Sequence, residues 1–244
     1  MDEFVVETNA VAEPGTDVVP VAALAVDPVA WKQAGILTAD GSPSMTWELA
    51  EEDDSAGMPA RTKGAALDAA TKGFFAQMET SRVKRNFAFG NVAFDGKVSL
   101  EEAPVPLDQI DHLGRSFDPT IHSVTGGTAI HAGLEAAYRL SRQWLESQQG
   151  SLPVTVVIAV LTDGECGDPQ RTLQLAEKIK REEPRISIAA GMFATKGSGT
   201  PGAALLQSIV SEPRLYAVIY SADQLRQWFH ASLTATGVAA RSEG

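Results

Sequence analysis

Five oxygen-bearing side chains carry the chemistry this sequence offers. Asp40, Ser42 and Ser44 fall at alternate positions in ILTADGSPSMTWE, directly after a short apolar stretch. Thr128 closes SVTGGT at the start of an amphipathic pattern, and Asp163 follows VTVVIAVLT, the most apolar run of the chain. Each alone has an ordinary explanation, because Asp and Ser are common turn and cap residues that satisfy their own backbone. Together they supply only hard oxygen donors, a preference of Mg²⁺ or Mn²⁺ and a poor match for zinc, which favours nitrogen and sulfur. Only Asp40 and Asp163 would offset the charge of such an ion. It would therefore stay electrophilic, and a carboxylate from outside could complete its sphere. Gly127, His131 and Glu165 neighbour these positions in sequence and are candidates for the rim of the same cleft.

Scattered over more than a hundred positions, these residues can meet only if the chain brings three loops to one edge. The pattern from residue 31 onward provides for that. Ile36 to Ala39 reads as a strand, and Arg61 to Met78 places Ala65, Leu67, Ala70, Phe74, Phe75 and Met78 near helical spacing. FAFGNVAFDGKVSL then signals a hairpin at Asp95-Gly96, so one antiparallel strand is expected. Helix 129–146, strand 153–161, helix 169–182, strand 186–194, helix 202–210, strand 215–220 and helix 222–234 follow. Such alternation implies an α/β fold, a doubly wound and mostly parallel sheet of about six strands, with helices on both faces and one antiparallel edge strand. In sheets of this kind ligands bind beyond the carboxyl ends of the strands, where strand order reverses. All three oxygen-bearing loops fall at strand exits or helix entries on that edge.

The remainder of the chain is expected to be accessory. Residues 1–30 read as a β-hairpin extension turning at Pro14-Gly15, or as an acidic tail; 31–236 as the main domain; 237–244 as a disordered tail. Net charge and cysteine usage exclude several classes. At −11 the chain lacks the Lys and Arg excess that binds phosphate backbones, so nucleic acid is not an expected partner. A single cysteine, Cys166, cannot form an internal disulfide, and the acidic opening MDEFVVETNA lacks the features of a signal peptide. No apolar run approaches the roughly 20 residues of a membrane span. A cytoplasmic protein without a membrane partner is the expectation.

The ordered set Asp40-x-Ser42-x-Ser44, Gly126-Gly127-Thr128 and Thr162-Asp163-Gly164 resembles the metal-ion-dependent adhesion site of von Willebrand factor type A domains. The resemblance spans about residues 35–236, and GGTAIHAGLEAAYRL, VLTDGECGDP and SADQLRQWFHASL are most similar to bacterial intracellular members of the tellurite-resistance type. It implies that Ser42, Ser44 and Thr128 contact the metal, that Asp40 and Asp163 act largely through water, and that a partner protein's Glu or Asp takes the open position. Relatives usually carry glycine where this chain has Pro43, which fixes φ and removes an N–H. What the resemblance implies is a metal-bridged interaction module, not an enzyme, at work in bacterial stress-response or signalling assemblies.

Competing readings are a metal-dependent hydrolase or phosphatase and a metal-free scaffold. A phosphatase would want more carboxylates than two, and nothing matches Gly-x-Ser-x-Gly or a Cys-His pair. Gly197-Ser-Gly199-Thr-Pro-Gly202 has the spacing of a dinucleotide fingerprint. Too little chain follows it for the second nucleotide-binding half. Cys166, flanked by Glu165 and Asp168, is expected to be incidental, and Trp47, Trp144 and Trp228 to be core or helix-packing residues.

Overall fold

A computed structural model describes residues 31–49, 62–81, 84–148, 150, 152–194 and 202–239. The hairpin expected within 1–30, the acidic stretch 51–57 and most of the glycine-rich segment 197–202 lie outside the described residues.

Six strands form one sheet in the order β3-β2-β1-β4-β5-β6: β1 (Lys32–Asp40), β2 (Phe87–Phe94), β3 (Val98–Pro106), β4 (Val154–Thr162), β5 (Ile186–Phe193) and β6 (Tyr216–Ile219). All neighbours pair in parallel except β2 with β3. Five helices surround the sheet: α1 (Lys63–Glu79), α2 (Ile130–Ser147), α3 (Pro169–Glu182), α4 (Ala203–Ile209) and α5 (Ala222–Ala239). The last helix thus runs three residues beyond position 236.

Burial explains why the strands read as they do. β1 and β4 are covered on both faces, and Val156 to Leu161 are fully buried, so they show continuous apolar runs instead of alternation. β3 is the exposed edge. Its positions are half-buried or exposed, it carries Pro104 and Pro106, and it anchors Glu101 and Glu102 to Arg139 and Arg115, features that discourage pairing with another chain. Asp95 and Gly96 make the hairpin turn into it, as the pair predicts. On one face α1 packs with α5, where Phe74 meets Phe229 edge-on and Phe75 meets Phe89 of β2. On the other α2 lies so close to β2 that a Cβ at Gly133 would fall 2.4 Å from the Phe94 ring.

From β1 the chain builds outward to β2 and β3, then crosses back to place β4 on the opposite side of β1. Strand order therefore reverses between β1 and β4. Asp40 ends one of those strands, and Asp163 directly follows the other. Among the described residues, no helix is long and apolar enough to cross a membrane.

Candidate metal centre

The first loop folds back on itself at once. The Gly41 N–H donates to the Phe94 carbonyl at 2.6 Å, and a Cβ at Gly41 would sit 2.6 Å from the Pro119 carbonyl oxygen, so this approach admits only glycine. Ser42 N–H then donates to Asp40 Oδ1 at 2.8 Å. Pro43 opens a 3₁₀ turn, Pro43–Thr46, in which Met45 N–H bonds the Ser42 carbonyl at 3.0 Å. At this first position of a turn an N–H has no partner to serve and the fixed φ of proline is already suitable. Proline is thus compatible with the turn, in which Ser42 Oγ lies 3.1 Å from Ser44 Oγ and Ser44 Oγ donates to Asp163 Oδ1 at 2.7 Å.

The second loop is held by Asp95. Its Oδ2 accepts N–H bonds from Val124 and Thr125, both at 2.7 Å, and from Gly126 at 3.2 Å, while Oδ1 accepts the Thr125 hydroxyl at 2.7 Å. Gly126 and Gly127 take φ values of 69° and 86°, the left-handed region that favours glycine. The turn brings Thr128 Oγ1 to 3.4 Å from Asp40 Oδ2. In the third loop Thr162 Oγ1 donates to Asp40 Oδ2 at 2.6 Å, and Gly167 N–H bonds the Thr128 carbonyl at 3.0 Å, tying the third loop to the second.

All five oxygen-bearing residues expected from sequence therefore converge. Asp40, Ser42 and Asp163 are buried and Ser44 and Thr128 half-buried, so the cluster opens to solvent through its hydroxyls. Gly127 and Glu165 are exposed beside it; His131 is half-buried, with a buried Nδ1 that has no hydrogen-bond partner among the described residues.

Burial pushes the Asp40 carboxyl up to about 6, and the charge of Asp163 adds to it; the bonds from Thr162 and Ser42 pull the other way without compensating. Burial also works against the charge on Asp95. There the N–H and hydroxyl of Thr125 and the N–H groups of Val124 and Lys97 prevail, and the carboxyl is held far below its ordinary range.

The donor set fits a hard divalent ion. Neighbouring oxygens around an octahedral ion are about 3 Å apart when each lies 2.0–2.1 Å from the metal, and the Ser42–Ser44 and Ser44–Asp163 separations of 3.1 and 2.7 Å are close to that edge. Hydroxyls make up most of the set. Among the described residues no group of three or more His, Cys, Asp or Glu is placed to hold a metal, so any ion here depends on Ser and Thr.

Three participants escape the sequence reading. Thr162 belongs to the third motif but has no role of its own in that reading, yet it orients Asp40. Asp95 looks like a hairpin turn, yet it anchors the Thr128 loop. Lys63 is the third: its side chain is fully buried, with Nζ 2.5 Å from Asp163 Oδ2 and 3.5 Å from the Ser44 carbonyl oxygen. A signal for it exists. Lys63 is the first residue of α1, behind the Thr62 cap, where a positive charge opposes the helix dipole; a locally unfavourable choice of this kind marks a residue selected for another reason. Trp47 requires a correction. Trp144 and Trp228 are buried as expected, but Trp47 is 57% exposed, its ring centroid 5.6 Å from Lys63 Nζ, because the turn carrying Ser44 leaves it outside the core. Cys166 is half-buried with Sγ 3.2 Å from Thr172 Oγ1.

A doubly wound sheet with this oxygen cluster at its reversal point is the fold expected from the resemblance to von Willebrand factor A domains. Solved structures with the same fold include the pilus adhesin SpaC from Lactobacillus rhamnosus GG (TM-score 0.64, 13% identity, 84% of this chain and 30% of that one). Proximal thread matrix protein 1 from the mussel byssus, in a form with a zinc-occupied MIDAS motif, aligns at TM-score 0.56 and 18% identity over 86% of this chain and 47% of its own. BatB from Bacteroides thetaiotaomicron aligns at 0.51 and 16% over 85% of this chain and 99% of its own. This chain thus corresponds to under half the length of the first two. No family model and no curated protein matches the sequence.

Proposed function

We propose that this chain is a divalent-metal-dependent protein-interaction module and not an enzyme. Asp40, Ser42, Ser44, Thr128 and Asp163 hold Mg²⁺ or Mn²⁺, and a partner protein completes the sphere with an Asp or Glu carboxylate. The observation carrying this reading is the convergence of three hydroxyls and two carboxylates from three separate loops on one half-open spot. The surroundings suit a protein ligand: Trp47, Ile121 and Val124 are large, exposed apolar side chains on the first loop and on the segment that packs beside it. Exposed apolar groups around a polar centre are what an interface uses for contact area. Placement in a bacterial cytosol and work in a stress-response or signalling assembly belong to the same proposal, supported by the tellurite-resistance-type sequence runs.

Titration calorimetry with Mg²⁺, Mn²⁺ and Zn²⁺ tests the site. Binding of Mg²⁺ or Mn²⁺ that disappears in Asp163→Asn is expected; its absence from the wild-type protein overturns the reading. Turnover of phosphoesters in Mn²⁺, lost in the same variant, would instead establish the hydrolase alternative. The metal-free scaffold has one observation on its side, the Lys63 ammonium already neutralising Asp163. It predicts partner binding indifferent to EDTA.

A further inference from the structure

The cluster contains a cation of its own. Lys63 is fully buried and its ammonium reaches the Asp163 oxygen that Ser44 does not use: Oδ1 accepts the Ser44 hydroxyl at 2.7 Å, Oδ2 the ammonium at 2.5 Å. A buried lysine is costly unless paired, so the pair with Asp163 is part of what keeps this side chain inside. The position is also guarded from two sides. Lys63 N–H bonds the Trp47 carbonyl at 3.0 Å, fixing the start of α1 against the first loop, and the Trp47 ring stands 5.6 Å from the ammonium.

This arrangement has a consequence for any ion bound by the five oxygens. With Asp40 and Asp163 ionised, the two carboxylates present two negative charges; Lys63 leaves one. A divalent ion therefore enters a site holding half the charge needed to neutralise it, with an ammonium bonded to one of its own ligand residues. Like charges this close in a poorly solvated pocket repel appreciably. Resting on the metal reading above, we propose that Lys63 is an internal competitor of the metal. It weakens the site's hold on a divalent ion in the absence of a partner, so that the loaded site carries net positive charge for an acidic ligand to cancel.

The test compares the full chain with Lys63→Met, which keeps the length and apolar stem and removes the charge. Calorimetric titration with Mn²⁺ is expected to show binding tighter by about tenfold or more in Lys63→Met, since one removed unit charge near the ion is worth that much at the effective dielectric of a protein site. Equal or weaker binding overturns the inference and makes Lys63 a residue that positions Asp163. If the variant is too unstable in EDTA for calorimetry, thermal melting with and without Mn²⁺ gives the readout. A larger rise in Tm with Mn²⁺ than wild type shows supports the inference; an equal rise, or failure to fold at saturating Mn²⁺, overturns it, because the ion should replace the lost charge. Asp163→Asn separates the two levels. Binding by neither protein removes the metal reading and the inference together; equal binding by both, abolished by Asp163→Asn, removes the inference alone.

Discussion

Asp40 and Asp95 stand at the ends of adjacent parallel strands, both fully buried, with Asp40 in register with Phe94 one residue before Asp95. Their environments diverge in the number of donors. Asp95 collects N–H groups from Val124, Thr125, Gly126 and Lys97 and the hydroxyl of Thr125. Asp40 receives the N–H of Ser42 and the hydroxyl of Thr162, with Thr128 Oγ1 more distant at 3.4 Å. One carboxylate is saturated, so its charge is stable and its role is to hold a loop. The other is desolvated and under-compensated, pushed up to about 6, and so placed to gain from a cation. Donor count and depth, not residue type, separate the two: Asp40 lies deeper in the protein and receives fewer donors than Asp95.

The largest effects should come from exchanging each carboxylate for its amide. Asp40→Asn is expected to lower Mn²⁺ affinity by a hundredfold or more, since it removes one of two charges that offset the ion. Folding stability should hold or rise by about 1 kcal/mol, because a buried group short of donors loses a charge it was poorly placed to keep. Asp95→Asn should behave in the opposite sense. Urea unfolding is expected to show a loss of about 2–3 kcal/mol, the scale of hydrogen bonds made to a charged group, and Mn²⁺ affinity should fall only about tenfold, as for residues that orient a ligand. Similar stability losses in both variants would erase the distinction.

Acid sharpens the contrast. The Asp95 carboxyl is held below its unfolded value near 4, so its stabilisation is complete above that pH and declines as pH falls further, when the unfolded chain takes up a proton that the folded chain resists. The stability gap between wild type and Asp95→Asn should therefore be constant from pH 7 to about 5 and close progressively below 4. Urea midpoints measured across that range check it; a gap independent of pH would mean that the amide replaces only shape.

How much of this was readable beforehand follows from the range of the forces involved. Continuous apolar runs in β4 and β5, the helical spacing of α1 and α2 and the Asp95-Gly96 turn are local signals, and they recover the sheet, its antiparallel edge and its helices within a residue or two for most elements. β1 and α5 are the exceptions: β1 is read only from Ile36 though it begins at Lys32, since buried Gln33 and half-buried Lys32 interrupt the apolar pattern, and α5 is read to 234 though it runs to Ala239. The five oxygens were visible because each follows a strand or opens a helix. The orienting role of Thr162, Lys63 and the anchoring half of Asp95's role were not. Their partners lie 122, 100 and 29 to 31 positions away, and no local pattern encodes which distant loop a side chain will meet. Trp47 failed for a related reason: a turn that must present Ser44 inward turns the next aromatic outward.

The smallest effect tests whether Asp95 truly dictates the shape of the Thr128 loop. Gly127 has φ of 86°, yet a Cβ there would lie 3.7 Å from Gly96 Cα, an ordinary contact. Gly127→Ala should therefore cost only the conformational penalty of a left-handed residue, about 1 kcal/mol. In the Asp95→Asn background the loop no longer has its charged anchor and can relax toward a backbone that alanine accepts. The same substitution should then cost less, and a double-mutant cycle of urea midpoints should show coupling of at least about 0.5 kcal/mol. Strict additivity would mean that the turn holds its shape without Asp95, leaving that carboxylate as a stabiliser of the hairpin and not of the Thr128 loop.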